Sequence, residues 1–139
     1  MAADPDCIFC KIVAGTVPCF KLFEDAETLA FMDINPVHDG HCLIIPKAHS
    51  PNVFEIASED FAAAARTATQ VAKAVNTAVQ PDGINLMQAN GAGAGQSVGH
   101  FHLHVFPRRI NDGVAINWDP KPGDMTRIAE IAERIRGFL

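Results

Sequence analysis

The stretch Gly-His-Phe-His-Leu-His-Val-Phe at residues 99–106 alternates histidine with apolar side chains. On a β-strand this period of two places His100, His102 and His104 on one face. The opposite face carries Phe101, Leu103 and Val105. The apolar face belongs to the core, so the imidazoles are predicted to face a cleft, solvent or a partner. Three of the six histidines of the chain fall in this stretch, which makes an incidental half-exposed strand the weaker interpretation.

The spacing of these histidines limits what they can bind together. Alternate residues of a strand are about 6.7 Å apart, so His100 and His104 are separated by about 13 Å along it. Metal–nitrogen bonds of about 2.0–2.1 Å cannot bridge that distance without a severe bend. The three histidines are therefore predicted to divide between different tasks.

A glycine-rich loop, Asn90-Gly-Ala-Gly-Ala-Gly-Gln-Ser97, immediately precedes the histidine strand. Glycines let the backbone approach a ligand closely, and backbone N–H groups in such loops cradle phosphate oxygens. A flexible turn is the simpler alternative for the loop alone. Beside a row of histidines, the loop suggests a phosphate held next to a nucleophile or a general base.

Together with this strand, the chain is predicted to form five strands and two helices. The long helix is predicted over 58–79, with Ser58 as its N-cap, and a last helix begins near Asp124 or Thr126. The strands are predicted at residues 20–23, 28–32, 41–45, 84–87 and 99–106. Hairpin connections and a single long central helix predict an α+β domain with a five-stranded antiparallel sheet. A parallel sheet would need more crossover helices than the chain provides.

Length and charge restrict the function classes. The 139 residues correspond to one domain, 1–139. A net charge of −5 gives no general attraction for a nucleic acid polymer or an anionic membrane. No apolar run is long enough to span a bilayer, and the N-terminus carries acids where a signal peptide carries basic residues. We therefore expect a soluble, cytoplasmic protein.

The four cysteines favour a reducing compartment. Cys7 and Cys10 form a CxxC pair, which fits metal ligands, a redox pair or core residues. Thioredoxin-like chemistry expects a strand before such a pair, and none precedes this one. We expect Cys19 and Cys42 to be core thiols.

The motifs together resemble the histidine triad (HIT) family, in particular the nucleotide-binding hydrolase branch and its bacterial, zinc-containing type. The resemblance lies in Gln96-Ser-Val-Gly-His-Phe-His-Leu-His-Val-Phe106, supported in chain order by Cys7–Cys10, Phe31–Pro36 and Gly40–His49. It covers residues 7–109, and the segment 110–139 varies in that family and influences substrate choice. The resemblance implies a HIT-like fold, a homodimer with a larger joint sheet, and cleavage of purine nucleoside phosphoramidates.

The resemblance also implies roles for individual residues. His102 would attack the α-phosphorus and form a covalent nucleotidyl-histidine, with the His100 carbonyl fixing its tautomer. His104 would donate to phosphate oxygens, His41 would complete the site behind the triad, and Ser97 would assist at the phosphate or leaving group. Asp33 would accept the ribose hydroxyls, and Asn90 would bind phosphate or the ribose side. The other implied substrate-binding residues are Gly95, Gln96 and Val98 near the phosphate and Val17, Phe31, Ile34 and Leu43 in a base pocket. For the last four, plain core packing is the alternative.

The resemblance further implies a structural zinc site, held by Cys7, Cys10, His49 and His100. Such sites use four tetrahedral nitrogen or sulfur ligands, and this one would pin the N-terminus to the sheet. The alternative is two buried thiols and two unrelated histidines.

Three other functions remain open at this point. A dinucleoside polyphosphate hydrolase would use the same chemistry on a different substrate. A nucleotide-binding or scaffold protein would keep the pocket with vestigial catalysis. A metalloenzyme would use the His-x-His pattern to hold a catalytic ion.

Overall fold

The computed structural model describes residues 3–115 and 118–139, and it contains one five-stranded sheet. The strands are β1 Lys21–Glu24, β2 Thr28–Met32, β3 Cys42–Pro46, β4 Gly83–Met87 and β5 Leu103–Arg108. They pair antiparallel in the order β1-β2-β3-β5-β4. The helices are α1 Ile8–Val13, α2 Ser58–Val79 and α3 Met125–Arg136, with a short 3₁₀ turn at Ala92–Ala94. The predicted α+β architecture is confirmed.

Side chains alternate between two buried faces of the sheet, as the period of a strand requires. One face packs against α2 and α3, and its strand residues include Ala30, Met32, Cys42, Ile44, Leu103 and Val105. The other face packs against α1, and its strand residues include Leu29, Phe31, Leu43 and Ile45. The first face is the main core, and the second carries the candidate functional site.

The histidine strand begins later than predicted, at Leu103 rather than at Gly99. In the β3–β5 register, Ile44 faces Leu103, so Pro46 would face Phe101. Proline has no N–H to donate to the ladder, and the Pro46 carbonyl instead accepts from His100 Nε2 at 2.8 Å. The Phe101 N–H donates to the Ser50 carbonyl. His100 and His102 therefore lie just outside the regular strand, although the alternation of faces continues through them.

Two other details differ from the predictions. The N-terminal segment contains α1, which the sequence did not predict as a helix. Ser58 was predicted as the N-cap of α2, and this is wrong: Ser58 is the first helical residue, and Ala57 is the N-cap without a side-chain hydrogen bond. The last helix begins where predicted, and the Asp124 carboxylate accepts from the backbone N–H groups of Thr126 and Arg127.

The C-terminal part of the chain returns to the loop that follows β2. The Gly123 N–H donates to the Ile34 carbonyl, and the Arg127 guanidinium donates to the Asp39 carboxylate. These contacts bring Trp118 and Pro120 to the open side of the sheet. Across the described ranges, no helix combines the length and apolar character needed to cross a membrane.

Candidate active site

A cavity of about 770 Å³ lies on the second face of the sheet, a size typical of small-molecule sites. His102 and His104 form its floor together with strand residues of β2 and β3. The loop 92–98 forms one side, α1 forms another, and Trp118 and Pro120 contribute from the C-terminal part. The arrangement therefore joins a polar end at the histidines to a mainly apolar remainder.

His102 has one nitrogen committed to the backbone. Its Nδ1 lies 2.6 Å from the His100 carbonyl oxygen, which can only accept, so Nδ1 carries the proton and Nε2 carries the free electron pair. Burial lowers the pKa of His102, against the opposing effects of this hydrogen bond and of Asp33. The ring is therefore held neutral near pH 7, in the tautomer that leaves Nε2 available to attack an electrophile.

His104 is oriented by a chain of hydrogen bonds that begins at a backbone amide. The Val37 N–H donates to His41 Nδ1 at 3.0 Å, so the proton of His41 is on Nε2. That Nε2–H donates to His104 Nδ1 at 2.9 Å, which leaves the proton of His104 on Nε2. Burial, more than the neighbouring histidines, lowers the pKa of both rings to about 3. A neutral His104 thus keeps a hydrogen-bond donor for a ligand in the cavity.

Asp33 lies at the same end of the cavity. Its Oδ1 accepts from the Asn35 N–H at 2.7 Å, and its Oδ2 lies 3.3 Å from His41 Nε2. Burial is the main influence on its pKa, which is raised. Because His41 is neutral, this approach is a dipolar contact rather than an ion pair. The carboxylate keeps acceptor capacity for hydroxyl groups of a ligand.

The glycine-rich loop is closed by the side chain of Gln96. Its oxygen accepts from the Gly91 N–H at 2.8 Å, and its amide donates to the carbonyls of Pro51 and Val98. Gly91 and Gly95 have φ values of +87° and +83°, a conformation that favours glycine. Gly95, Gln96, Ser97 and Val98 all line the cavity. These hydrogen bonds therefore fix the conformation of the loop beside the histidine end of the cavity.

Asn90 has a different environment from the rest of the predicted substrate-binding set. Its Oδ1 accepts from the Val53 N–H at 2.7 Å and from the Gln88 amide. It does not belong to the lining of the cavity. In this structure Asn90 ties the 51–56 loop to the base of the glycine-rich loop.

The predicted base-pocket residues Val17, Phe31, Ile34 and Leu43 line the apolar part of the cavity. Sequence reasoning missed Ile8, Phe9 and Ile12 of α1, which form a second apolar wall, and also Trp118. The Trp118 ring meets His104 edge-on, with centroids 5.6 Å apart. The only signal for Trp118 in the sequence was that it is the single tryptophan of the chain.

Four potential metal ligands converge beside the cavity. His100 Nδ1 lies 3.4 Å from Cys7 Sγ, 3.7 Å from Cys10 Sγ and 3.2 Å from His49 Nδ1. Cys10 Sγ lies 3.4 Å from His49 Nδ1. A tetrahedral zinc ion with ordinary bond lengths would separate such ligands by about 3.3–3.8 Å. His100 Nε2 donates to the Pro46 carbonyl, which leaves Nδ1 as the free ligand atom. The four side chains therefore fit a zinc ion.

A second group, Asp33, His41 and His104, also lies close enough together to be considered as a metal site. The facing nitrogens of His41 and His104 are already joined by a hydrogen bond. The remaining nitrogen of His41 accepts from the backbone. Both nitrogens of His41 are therefore engaged in hydrogen bonds, which weighs against a catalytic ion held by this group.

Comparisons with known proteins agree with this geometry. The HIT domain model matches residues 14–111. The adenosine 5'-monophosphoramidase hnt1 of Schizosaccharomyces pombe is 39% identical over 130 residues, which cover 93% of this chain and 95% of the relative. A HIT-like protein involved in cell-cycle regulation from Bartonella henselae superposes with a TM-score of 0.87, at 36% identity over 99% of this chain and 100% of that one. A Zn-bound histidine triad family protein from Mycobacterium smegmatis gives a TM-score of 0.82, at 34% identity over 95% and 91%. The chain therefore belongs to the HIT domain family, the histidine triad proteins.

Proposed function

We propose that this protein is a hydrolase for purine nucleotide conjugates, which it cleaves at the α-phosphate through a covalent intermediate on His102. Nucleoside phosphoramidates are the preferred substrate class. The observation that carries the proposal is the hydrogen bond from His102 Nδ1 to the His100 carbonyl. It leaves Nε2 as a neutral nucleophile inside a cavity of nucleotide size.

The reaction would proceed in two displacements at phosphorus. In the first, His102 Nε2 forms a bond to the α-phosphorus while the phosphorus–nitrogen bond of the substrate breaks, and the amine leaves with a proton that it takes from solvent water. The positive charge that develops on the ring is spread to Nδ1–H, where the His100 carbonyl and the nearby Asp33 stabilise it. In the second, water attacks the phosphorus and returns a proton to solvent, the bond to His102 breaks, and the nucleoside monophosphate is released.

Other groups would act on the phosphate and the nucleoside. His104 would donate its Nε2–H to a phosphate oxygen, because His41 occupies its Nδ1. The Gly95 and Gln96 N–H groups already donate to the Ala92 and Gly91 carbonyls within the loop. Of the backbone donors predicted in this loop, the Ser97 N–H would therefore serve the phosphate, and the Ser97 hydroxyl would assist at the phosphate or the leaving group. Asp33 would accept the ribose hydroxyls, and the two apolar walls would enclose the base.

We further propose that the Cys7, Cys10, His49 and His100 cluster holds zinc as a structural ion. Zinc would supply a cross-link between the N-terminal segment and the sheet, with both thiols deprotonated. Backbone N–H groups already point at the sulfurs, from Asp4 to Cys10 and from Cys10 to Cys7, each at 3.4 Å. The catalytic histidines do not depend on this ion for their tautomers.

The proposed activity can be tested with adenosine 5'-phosphoramidate. We expect the wild-type protein to release AMP, and His102→Ala to reduce kcat by at least about 10³-fold because the nucleophile is removed. His41→Asn should lower kcat by about 10–100-fold, since His104 then loses the partner that fixes its tautomer. Rapid quenching should trap a covalent adenylyl adduct on the wild-type chain.

The sixth histidine provides a matched control. His38 pairs with Asp112 outside the cavity, so His38→Ala should retain activity within about twofold. Hydrolysis that survives in His102→Ala would disprove the mechanism. Faster cleavage of diadenosine polyphosphates than of the phosphoramidate would instead favour the dinucleotide hydrolase, and tight AMP binding without turnover would favour a binding protein.

A further inference from the structure

Helix α1 belongs to two sites at once. Cys7 and Cys10, at its beginning and within its first turn, point into the Cys/His cluster. Ile8, Phe9 and Ile12 line the cavity. A helix of six residues has little stability of its own in water. Its position, and with it one wall of the cavity, must therefore be set by its contacts with the rest of the chain.

The polar contacts between the α1 segment and the rest of the chain are made at the Cys/His cluster. In the described segment 3–17, backbone hydrogen bonds stay within the segment. Polar contacts with the sheet and its loops are made by the sulfurs of Cys7 and Cys10, and by Asp4, which lies 3.9 Å from His49 of the same cluster. Every one of these contacts ends on a proposed metal ligand.

Phe9 transmits the position of the helix to the cavity. Its ring meets Phe31 edge-on at 5.4 Å and His102 at 5.2 Å between centroids. Phe31 is a base-pocket residue, and His102 is the proposed nucleophile. Phe9 itself is 6% exposed, so it cannot move without opening the space between the cluster and the cavity.

We propose that metal occupancy of the Cys7, Cys10, His49 and His100 cluster controls nucleotide affinity, because it fixes α1 as the apolar wall of the cavity. The inference rests on the proposed function and extends it: the ion is linked to substrate binding as well as to stability. Because coupling between two sites is reciprocal, a bound nucleotide raises the affinity of the cluster for the metal by the same factor.

Two measurements on the wild-type protein test this coupling. AMP is titrated calorimetrically into zinc-loaded protein and into protein stripped with a chelator, with metal content checked by atomic absorption. We expect the Kd for AMP to rise about tenfold on stripping, within the usual range of coupling between sites. Zinc transfer to a chromophoric chelator, followed on the loaded protein, should be several-fold slower with saturating AMP. This second measurement does not require the stripped protein to stay folded.

Matched phenylalanine variants locate the coupling. Phe9→Ala should weaken AMP binding and reduce the effect of AMP on zinc release, because helix α1 loses its ring contacts with Phe31 and His102. Phe54 is 82% exposed and lies outside the cavity, so Phe54→Ala should behave as the wild type.

The outcomes separate the two proposals. Confirmed zinc loss with less than a twofold change in the Kd for AMP would overturn the coupling and leave the proposed function intact. Zinc release unaffected by saturating AMP would overturn it as well. If the zinc-loaded protein binds no AMP at all, the proposed function itself fails, and the coupling fails with it.

Discussion

At the scale of single residues, hydrogen bonds to backbone carbonyls and to a neighbouring histidine determine what each histidine of the triad can do. His102 donates to a carbonyl and keeps a lone pair, whereas His104 accepts from His41 and keeps a proton. His100 donates to Pro46 and presents Nδ1 to the cysteines. Three side chains of the same type are thus given different chemistry by different partners. The predicted division of tasks among the three histidines agrees with this geometry.

The burial of His41 and His104 predicts that the protein loses stability as the pH becomes acidic. Burial lowers the pKa of His41 and His104 to about 3, whereas an unfolded histidine titrates near about 6.5. Since the folded-state pKa is the lower one, the unfolded chain binds more protons between these values. The stabilising contribution is therefore present above pH 6.5 and is lost as the pH falls toward 3. Each ring should contribute up to about 1.4 kcal/mol per pH unit.

The measurement is the free energy of unfolding in urea at pH 7, 6 and 5, in the presence of a chelator. We expect the slope against pH to be smaller in His104→Gln than in the wild type, by up to about 1.4 kcal/mol per pH unit. Phe54→Gln, at a position that is 82% exposed, serves as the control and should keep the wild-type slope, because it removes no titratable group. Equal slopes in the wild type and His104→Gln would contradict the prediction.

At the scale of elements, the sequence predicts the long regular segments and misses the short one. The strands and α2 carry repeating apolar patterns, which burial in the sheet and core explains. Helix α1 has six residues, too few for a periodic pattern, and it is held by the cluster and by Phe9 rather than by helix propensity. The start of β5 depends on Pro46 across the sheet, a partner that only the register reveals.

The beginning of α2 offers a stabilising substitution. Ala57 has the extended backbone of an N-cap, φ −69° and ψ 138°, but no side-chain oxygen to accept from the first turn. Ala57→Ser should supply that acceptor and raise the free energy of unfolding by about 1 kcal/mol. Urea unfolding measures the change. Ala62→Ser, at an exposed position inside the same helix, is the control and should be neutral or destabilising by less than about 0.7 kcal/mol. If Ala57→Ser did not raise the free energy of unfolding, the backbone at this position would not allow the cap.

At the scale of the whole molecule, the site depends on segments that are distant in the sequence. The cavity needs α1, the glycine-rich loop, the triad and the segment around Trp118. The triad and loop could be predicted because their residues form local patterns. The contributions of α1 and Trp118 could not, because they arise only when the chain folds back over the sheet.

The two edges of the sheet differ in a way that predicts where a second copy binds. On β1, the exposed Lys21 and Glu24 form an ion pair at 2.6 Å, and charged edge residues oppose pairing with another strand. The other edge, β4, has the sequence Gly-Ile-Asn-Leu-Met without a charge, and Leu86 is 55% exposed. We therefore propose that the chain forms a homodimer, edge to edge through β4, which would continue the sheet across both copies.

Sedimentation velocity at micromolar concentration tests this arrangement. The wild type should sediment as a dimer, and Leu86→Lys should shift it toward monomer, because the substitution places two like charges at a paired edge. Phe138→Lys is the matched control: it is 54% exposed and follows α3, the helix that packs beside β1, so it should remain dimeric. A dimer that persists in Leu86→Lys but dissociates in Phe138→Lys would move the interface to the opposite side of the molecule. A wild-type monomer would remove the joint sheet altogether, and the complete cavity within one chain would then have to account for nucleotide binding alone.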